Sequence, residues 1–153
     1  GFTTKITGID VLEGERAEAF PLQSVALRLA DEIDISRGDM IVSPLAKPAS
    51  GQEIEAMVCW FSEKPLSPGG RYLLMHTTRQ ARCIVREIQY RVDIQTLEEI
   101  REDAPLKMNE IARIKVHSAA PLFYDPYGKN RVTGSFILMD EATNATVGAC
   151  MIV

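Results

Sequence analysis

At 153 residues the chain is long enough for one ordinary domain, or for one small domain plus part of another. With 46% hydrophobic and 25% charged residues it can bury a core and is not a disordered chain. A net charge of -4 supplies no overall basic footprint, which counts against a nucleic-acid binder. The three cysteines, Cys59, Cys83 and Cys150, are odd in number and far apart in sequence. A disulfide framework or a zinc ribbon needs closely spaced pairs, so free thiols in a reducing cytoplasm are the simpler expectation. No run of eighteen apolar residues predicts a membrane span, and the opening "GFTTKITGID" has neither the basic nor the apolar stretch of a signal peptide. It also lacks an initiator Met, so the chain reads as a piece of a longer protein.

Helical periodicity is nearly absent and period-two alternation recurs along the chain. In "QSVALRLA", Val25, Leu27 and Leu29 share one face and Ser24, Ala26 and Arg28 the other. The tripeptide Arg37-Gly38-Asp39 is known as an adhesion ligand, yet it sits between "IDIS" and "MIV". Gly38 permits positive φ and Asp39 can bond nearby amides, so a turn is predicted, with a strand resuming at Met40, Ile41 and Val42. The Pro-, Ala-, Ser- and Gly-rich "SPLAKPASGQ" at 43–52 marks a boundary. The expected division is residues 1–46, the tail of one β-barrel with about four strands, and residues 47–153, a complete barrel of six strands. About 40 residues rarely fold alone, so the first part reads as the end of a truncated domain.

Within the second part, Ile54, Ala56, Val58 and Trp60 alternate with Glu53, Glu55, Met57 and Cys59. In "RQARCIVREIQYRVDI", Ala81, Cys83 and Val85 share a face, then Ile88, Tyr90 and Val92 do. The slip near Arg86-Glu87 predicts a β-bulge of the kind that bends long barrel strands. "TLEEIRED" has capping-box spacing at Thr96 and Glu99 and predicts one short helical turn in a loop from about Asp93 to Met108. Ala112, Ile114 and Val116 alternate with Arg113, Lys115 and His117, and "FILMDEATNATVGACMIV" reads as two strands around "DEATN". The fold class is all-β.

The stretch "EGERAEAFPLQSVALRLADEIDISRGDMIV" resembles the end of the second domain of translation-factor-type GTPases. Its "DEIDISRGD" is most similar to the GTP-binding large subunit of bacterial sulfate adenylyltransferase, the ATP sulfurylase of sulfate assimilation. "VCWFSEKPLSPGGRYLLMHTTRQARCIVREIQYRVDIQTLE" and "LKMNEIARIKVHSAAPLFYDPYGKNRVTGSFILMDEATNATVGACMIV" resemble the start and end of that subunit's third domain. The ordered D-x-Y-x-x-N-x-x-T-G-x-F-I-x-x-D-x-x-T-N-x-T-V-G-A pattern makes the resemblance specific, and it extends over essentially the whole chain. It implies an elongation-factor-Tu-like β-barrel preceded by the tail of a second barrel. It also implies a parent protein that binds GTP and Mg and couples GTP hydrolysis to synthesis of adenosine 5′-phosphosulfate from ATP and sulfate. The implied partners are the small catalytic subunit and the chain's own GTPase domain, with no nucleic acid and no membrane. Exposed edges of the truncated barrel would favour self-association.

The residues themselves offer no catalytic centre. There is no G-x-x-x-x-G-K-[ST] loop and no guanine-reading NKxD, so the family's nucleotide chemistry maps to no residue here. No cofactor is expected on this chain and no activity from it alone. His76 and His117 lack the carboxylate spacing of a metal site, and both have ordinary structural roles open to them. Cys83 lies between Arg82 and Arg86, a slight argument for a reactive thiol, against the commoner role of a small buried apolar residue. Arg71, Arg79, Arg82, Arg86 and Arg91 are the strongest candidates for an anionic contact. A charge-lined partner surface fits them better than RNA, since Glu87, Asp93, Glu98 and Glu99 lie among them. An RNA-binding module of a translation factor remains the alternative reading. Asn144 opens an N-x-T sequon, but a turn explains it. The loop "LFYDPYGKNRVTG" brings Tyr124, Asp125, Tyr127, Asn130 and Arg131 together. Exposed aromatics beside Arg suit an interface, whereas Asp125-Pro126 and Gly128 suit a loop that supports itself.

Overall fold

The computed structural model describes residues 1–153 and contains strands and turns but no helix, hence none long and apolar enough to cross a membrane. It divides into two compact units, Gly1–Ser36 and Arg37–Val153. The division falls earlier than the 43–52 linker, which belongs with the second unit.

The first unit is a three-stranded antiparallel sheet. β1 (Ile6–Val11) lies between β2 (Gly14–Arg16) and β3 (Ala26–Leu29). Three strands form, not four. Alternation holds in β3, where Leu27 and Leu29 are half-buried and Ala26 and Arg28 exposed. Arg28 reaches across the ladder to Asp10 at 3.0 Å and Glu15 at 2.7 Å. No side chain in this unit is fully buried, and Phe2, Leu12, Phe20 and Leu22 are exposed. A small sheet with no buried layer has little hydrophobic stabilisation of its own.

The second unit is the barrel. Its strands are β4 (Ala49–Trp60), β5 (Arg71–His76), β6 (Arg79–Val92), β8 (Ile111–Tyr124), β9 (Ser135–Met139) and β10 (Thr146–Ile152). The order β5-β9-β10-β4-β8-β6 closes through a β5–β6 pairing, and every pairing is antiparallel. Closure removes the open edges that a sheet would otherwise expose. A two-residue strand, β7 (Glu99–Ile100), adds to the end of β6. Period-two alternation sends one set of side chains inward. Ile54, Ala56, Val58, Trp60, Leu74, Cys83, Val85, Ala112, Ile114, Val116, Phe136 and Leu138 form one core. Trp60 fills the largest share, edge-on to Tyr72 at 5.5 Å, with its indole N–H donating to the Lys64 carbonyl at 2.9 Å.

The bulge expected near Arg86 is present, with a register shift between Val85 and Glu87 and a second between Ile88 and Tyr90. Two expectations fail. "TLEEIRED" forms no helical turn. The Asp93 carboxylate accepts from the Gln95 and Thr96 amides, Leu97 turns with φ 61°, and the chain re-enters the sheet as β7. A capping box needs a following helix to cap, and here the Thr96 amide is already taken by an Asx turn. Met40, Ile41 and Val42 resume no strand: they run without ladder pairing.

Candidate functional site

The outer surface of the barrel has two unlike halves that meet along β4. The outward residues of β4 run Glu53, Glu55, Met57, Cys59. Towards β8 and β6 the surface is charged and mostly paired. Glu55 holds Arg113 at 2.7 Å and Lys115 at 3.7 Å, and Lys115 also faces Glu87 at 4.0 Å. Glu53 pairs with His117 Nδ1. Arg91 lies between Glu102 at 2.6 Å and Glu110 at 3.3 Å. The hydrogen bond from Arg113 is the largest cause that holds the Glu55 carboxyl below its ordinary range.

Towards β10, β9 and β5 the surface is apolar. Cys59 stands opposite Ala149, Ala149 opposite Ile137, and Ile137 opposite Met75, which makes one row across four strands. Met57 faces Met151 in the adjacent row. Cys59, Ala149, Ile137, Met75 and Met151 floor a shallow groove of about 510 Å³, walled by Tyr127, Arg131 and Val132 from the loop before β9. No acidic residue lines it.

That loop is the one singled out in the sequence, and it supports itself. Asp125 accepts from Lys129 at 2.6 Å and from the Thr133 hydroxyl at 2.8 Å, and these two bonds hold its carboxyl below the ordinary range. The Asn130 carbonyl oxygens, side chain and backbone, accept from the amides of Val132, Thr133 and Gly134. The Tyr127 amide donates to the Ile152 carbonyl, which fastens the loop to β10. At Gly134 a Cβ would stand 2.5 Å from Tyr127 Cα, so only glycine lets the loop close on itself. The result is a rigid presentation of Tyr127, with the Arg131 guanidinium over its ring at 5.9 Å and Val132 72% exposed. Arg131 has no carboxylate partner. Tyr124 turns the other way and packs on the core. Of the five residues expected at an interface, Tyr127 and Arg131 reach the groove, while Asp125 and Asn130 build the loop. The sequence signal that would have found Met75, Ile137, Ala149 and Met151 is weak, because apolar residues on both faces of a strand do not say which face is outward.

The other candidates are dispersed. Cys83 and Cys150 are buried and Cys59 is half-exposed. Burial, opposed to ionisation, pushes the Cys83 thiol up to about 12, so the neighbouring arginines do not activate it. His76 is buried with Nε2 on the Thr133 carbonyl at 2.7 Å. No three His, Cys, Asp or Glu side chains gather to hold a metal. Of the arginines, Arg79 serves Gly38, Arg82 faces Glu141 at 3.5 Å and Arg91 is held by its two glutamates, whereas Arg71 and Arg86 are exposed beside Arg82 on the β5–β6 ladder, where Arg71 stands opposite Ile84. Asn144 adopts φ 58° in a turn closed on Asp140, as a turn residue should. Arg37-Gly38-Asp39 is a turn clamped to the β5–β6 hairpin. Arg37 Nε donates to the Thr78 carbonyl at 3.4 Å, Arg79 donates to the Gly38 carbonyl at 3.5 Å, and Gly38 is buried with φ 99°. These residues do not fit a guanine nucleotide or magnesium. The adjacent glycines Gly69 and Gly70 give their amides to Val85 and Ser67 and lead into a strand, so no amide cradle or helix N-terminus is left for phosphate.

Residues 53–153 match the family model described as GTP-eEF1A C-terminal domain-like. The chain belongs to that family. Along nearly its whole length it is also similar to CysN/CysC and sulfate adenylyltransferase subunit 1 proteins. It is 46% identical over 153 residues to the bifunctional enzyme CysN/CysC of Mycobacterium tuberculosis, covering 99% of this chain and 25% of that protein. It is 40% identical over 161 residues to sulfate adenylyltransferase subunit 1 of Bacteroides thetaiotaomicron, covering 100% of this chain and 33% of that protein. The chain therefore spans a quarter to a third of the curated relatives it matches. A crystal structure of sup35 complexed with GDP superposes with a TM-score of 0.84 at 16% identity, covering 98% of this chain and 37% of that one. At that identity the likeness is one of fold, and it agrees with the translation-factor-type barrel expected from the sequence.

Proposed function

We propose that this chain is the non-catalytic C-terminal region of the GTP-binding subunit of a sulfate adenylyltransferase, and that it docks the catalytic subunit and the chain's own GTPase domain. The observation that carries the reading is identity of 40–46% to subunit 1 and CysN/CysC proteins across nearly all of the chain, in both units. The residues support a binding role. The barrel holds a self-bonded loop beside an apolar outer face. In the parent protein GTP hydrolysis, performed elsewhere in the chain, would drive adenosine 5′-phosphosulfate synthesis from ATP and sulfate. The barrel would transmit nucleotide state to the catalytic subunit. A reducing cytoplasm, expected from the three free thiols, is part of this reading.

The test uses the full-length parent chain and the catalytic subunit. Deletion of residues 37–153 is expected to abolish co-purification of the two subunits and GTP-dependent adenosine 5′-phosphosulfate formation, while GTP binding persists. Retention of both would overturn the docking role. A salt-sensitive RNA shift by the intact chain would favour the translation-factor alternative instead.

A further inference from the structure

We propose that the tip of the β5–β6 hairpin is a strained latch, held shut by the turn at residues 37–39 where the chain enters the barrel, and that its release loosens the loop that walls the groove. The inference concerns the barrel itself and does not depend on what occupies the groove.

Strain at Thr77 carries it. Thr77 and Thr78 join β5 to β6, with His76 paired to Arg79. Thr77 takes φ 51°. So tight a turn favours glycine, asparagine or aspartate at such a position, because a β-branched side chain crowds its own backbone there. A residue placed this way keeps its conformation only while its surroundings over-determine it. The Thr77 hydroxyl donates to the His76 carbonyl at 2.7 Å. From outside the hairpin, the hold comes from the entry turn. Arg37 Nε donates to the Thr78 carbonyl at 3.4 Å, and Arg79 donates to the Gly38 carbonyl at 3.5 Å. Both bonds are long, and close packing adds to them. Gly38 is buried, and a Cβ on it would stand 3.3 Å from Arg79 Cγ and 3.4 Å from Arg79 Cβ.

The other side of the tip leads to the groove. His76 is the last residue of β5 and is buried, with Nε2 donating to the Thr133 carbonyl at 2.7 Å. The same carbonyl accepts from the Asp125 amide at 3.3 Å, and the Thr133 hydroxyl donates to the Asp125 carboxylate at 2.8 Å. Thr133 is thus the point at which the loop carrying Tyr127, Arg131 and Val132 is tied to β5. Thr77 lines the groove together with those three residues. A contiguous run of contacts, from Gly38 through Arg79, Thr77 and His76 to Thr133, joins the entry turn to the groove wall. When the clamp is lost, the strained tip relaxes by moving, and His76 beside it moves away from Thr133. A glycine in place of Thr77 carries no such strain, so the tip keeps its place with or without the clamp.

The test reads amide hydrogen exchange along the full-length parent chain by mass spectrometry. Gly38→Ala is expected to speed exchange in residues 37–42 and, at a distance, about tenfold or more in residues 125–134. With Thr77→Gly also present, the rise in 125–134 is expected to shrink to within about twofold. Arg37→Ala removes one exposed side chain and its long bond, and is expected to give the same pattern at about threefold. It decides the matter if Gly38→Ala does not fold. Peptides over 54–58 and 112–116 report the core. If they accelerate by the same factor as 125–134, the effect is global and the latch falls. It falls too if 125–134 keeps its wild-type rate in both single variants. If Thr77→Gly leaves the rise in 125–134 intact, strain is not what the latch releases and the proposal is overturned.

Discussion

The two outer halves of this barrel are built on the same wall yet follow opposite rules. On β6, β8 and the first part of β4, most charges are paired locally, as in the Glu55–Arg113–Lys115–Glu87 chain, with Arg86 an exposed exception. On β10, β9, β5 and the last part of β4, Cys59, Ala149, Ile137 and Met75 line up without a charge among them. The core cannot explain the difference, because Val58 and Trp60 pack inward from the very segment that carries Met57 and Cys59 outward. A surface that satisfies its own charges has little left to offer a partner. A surface that leaves apolar area and one cation unmatched is suited to binding.

The largest test of this comparison removes what both halves share. Trp60→Ala is expected to cost about 3–5 kcal/mol, measured by urea unfolding, and to weaken both halves together. A cost below about 1 kcal/mol would mean the wall is not held by its core. Gly38→Ala acts at one end of the apolar half. It forces a Cβ at φ 99° to within 3.3 Å of Arg79 Cγ. About 1–3 kcal/mol of strain is expected, together with faster protease cleavage in residues 37–48. Unchanged cleavage would show that the clamp does not hold that segment.

A smaller effect separates the halves by pH. The Glu55 carboxyl is held low chiefly by Arg113, so its folded value lies below its unfolded one. Its contribution is therefore present above the unfolded value and is lost as pH falls through the folded value. For a half-exposed pair this amounts to about 0.2–1 kcal/mol. Glu55→Gln should flatten the loss of stability between about pH 5 and 3, read from urea midpoints across that window. A slope equal to wild type would sink the assignment. The smallest change in stability, and the sharpest marker of the apolar half, is thiol labelling of the native chain. Cys59 should react, whereas Cys83 and Cys150 should label only on unfolding. Equal native rates for all three would refute the burial pattern.

Much of this was legible from residues alone. Alternation over Ile54–Trp60 and Ala112–Val116 marked the inward faces, because a half-buried strand must repeat every two residues. The phase slip at Arg86-Glu87 marked the bulge, since one extra residue flips every side chain after it. The turn at Arg37-Gly38-Asp39 followed from what glycine permits, although the strand expected after it did not form. Local rules also misread "TLEEIRED", where capping-box spacing was satisfied but the Asp93 side chain took the Thr96 amide, with that of Gln95, for a turn. The loop singled out in the sequence is the one that walls the groove with Tyr127 and Arg131, whereas Tyr124, offered with them, packs on the core.

By itself, then, the sequence determined the all-β class, the inward faces of the long strands, the absence of a phosphate-binding loop and the family resemblance. These are encoded in local spacing and in ordered motifs that need no neighbour to be read. Tertiary structure alone decided the order in which the six strands pair, which arginines find glutamates, and that Cys59, Ala149, Ile137 and Met75 fall into one row. Those residues come from four strands separated by up to 90 positions, and only the register of the ladders brings them side by side. A groove is a property of that register, set by bulges and pairings that no single segment contains.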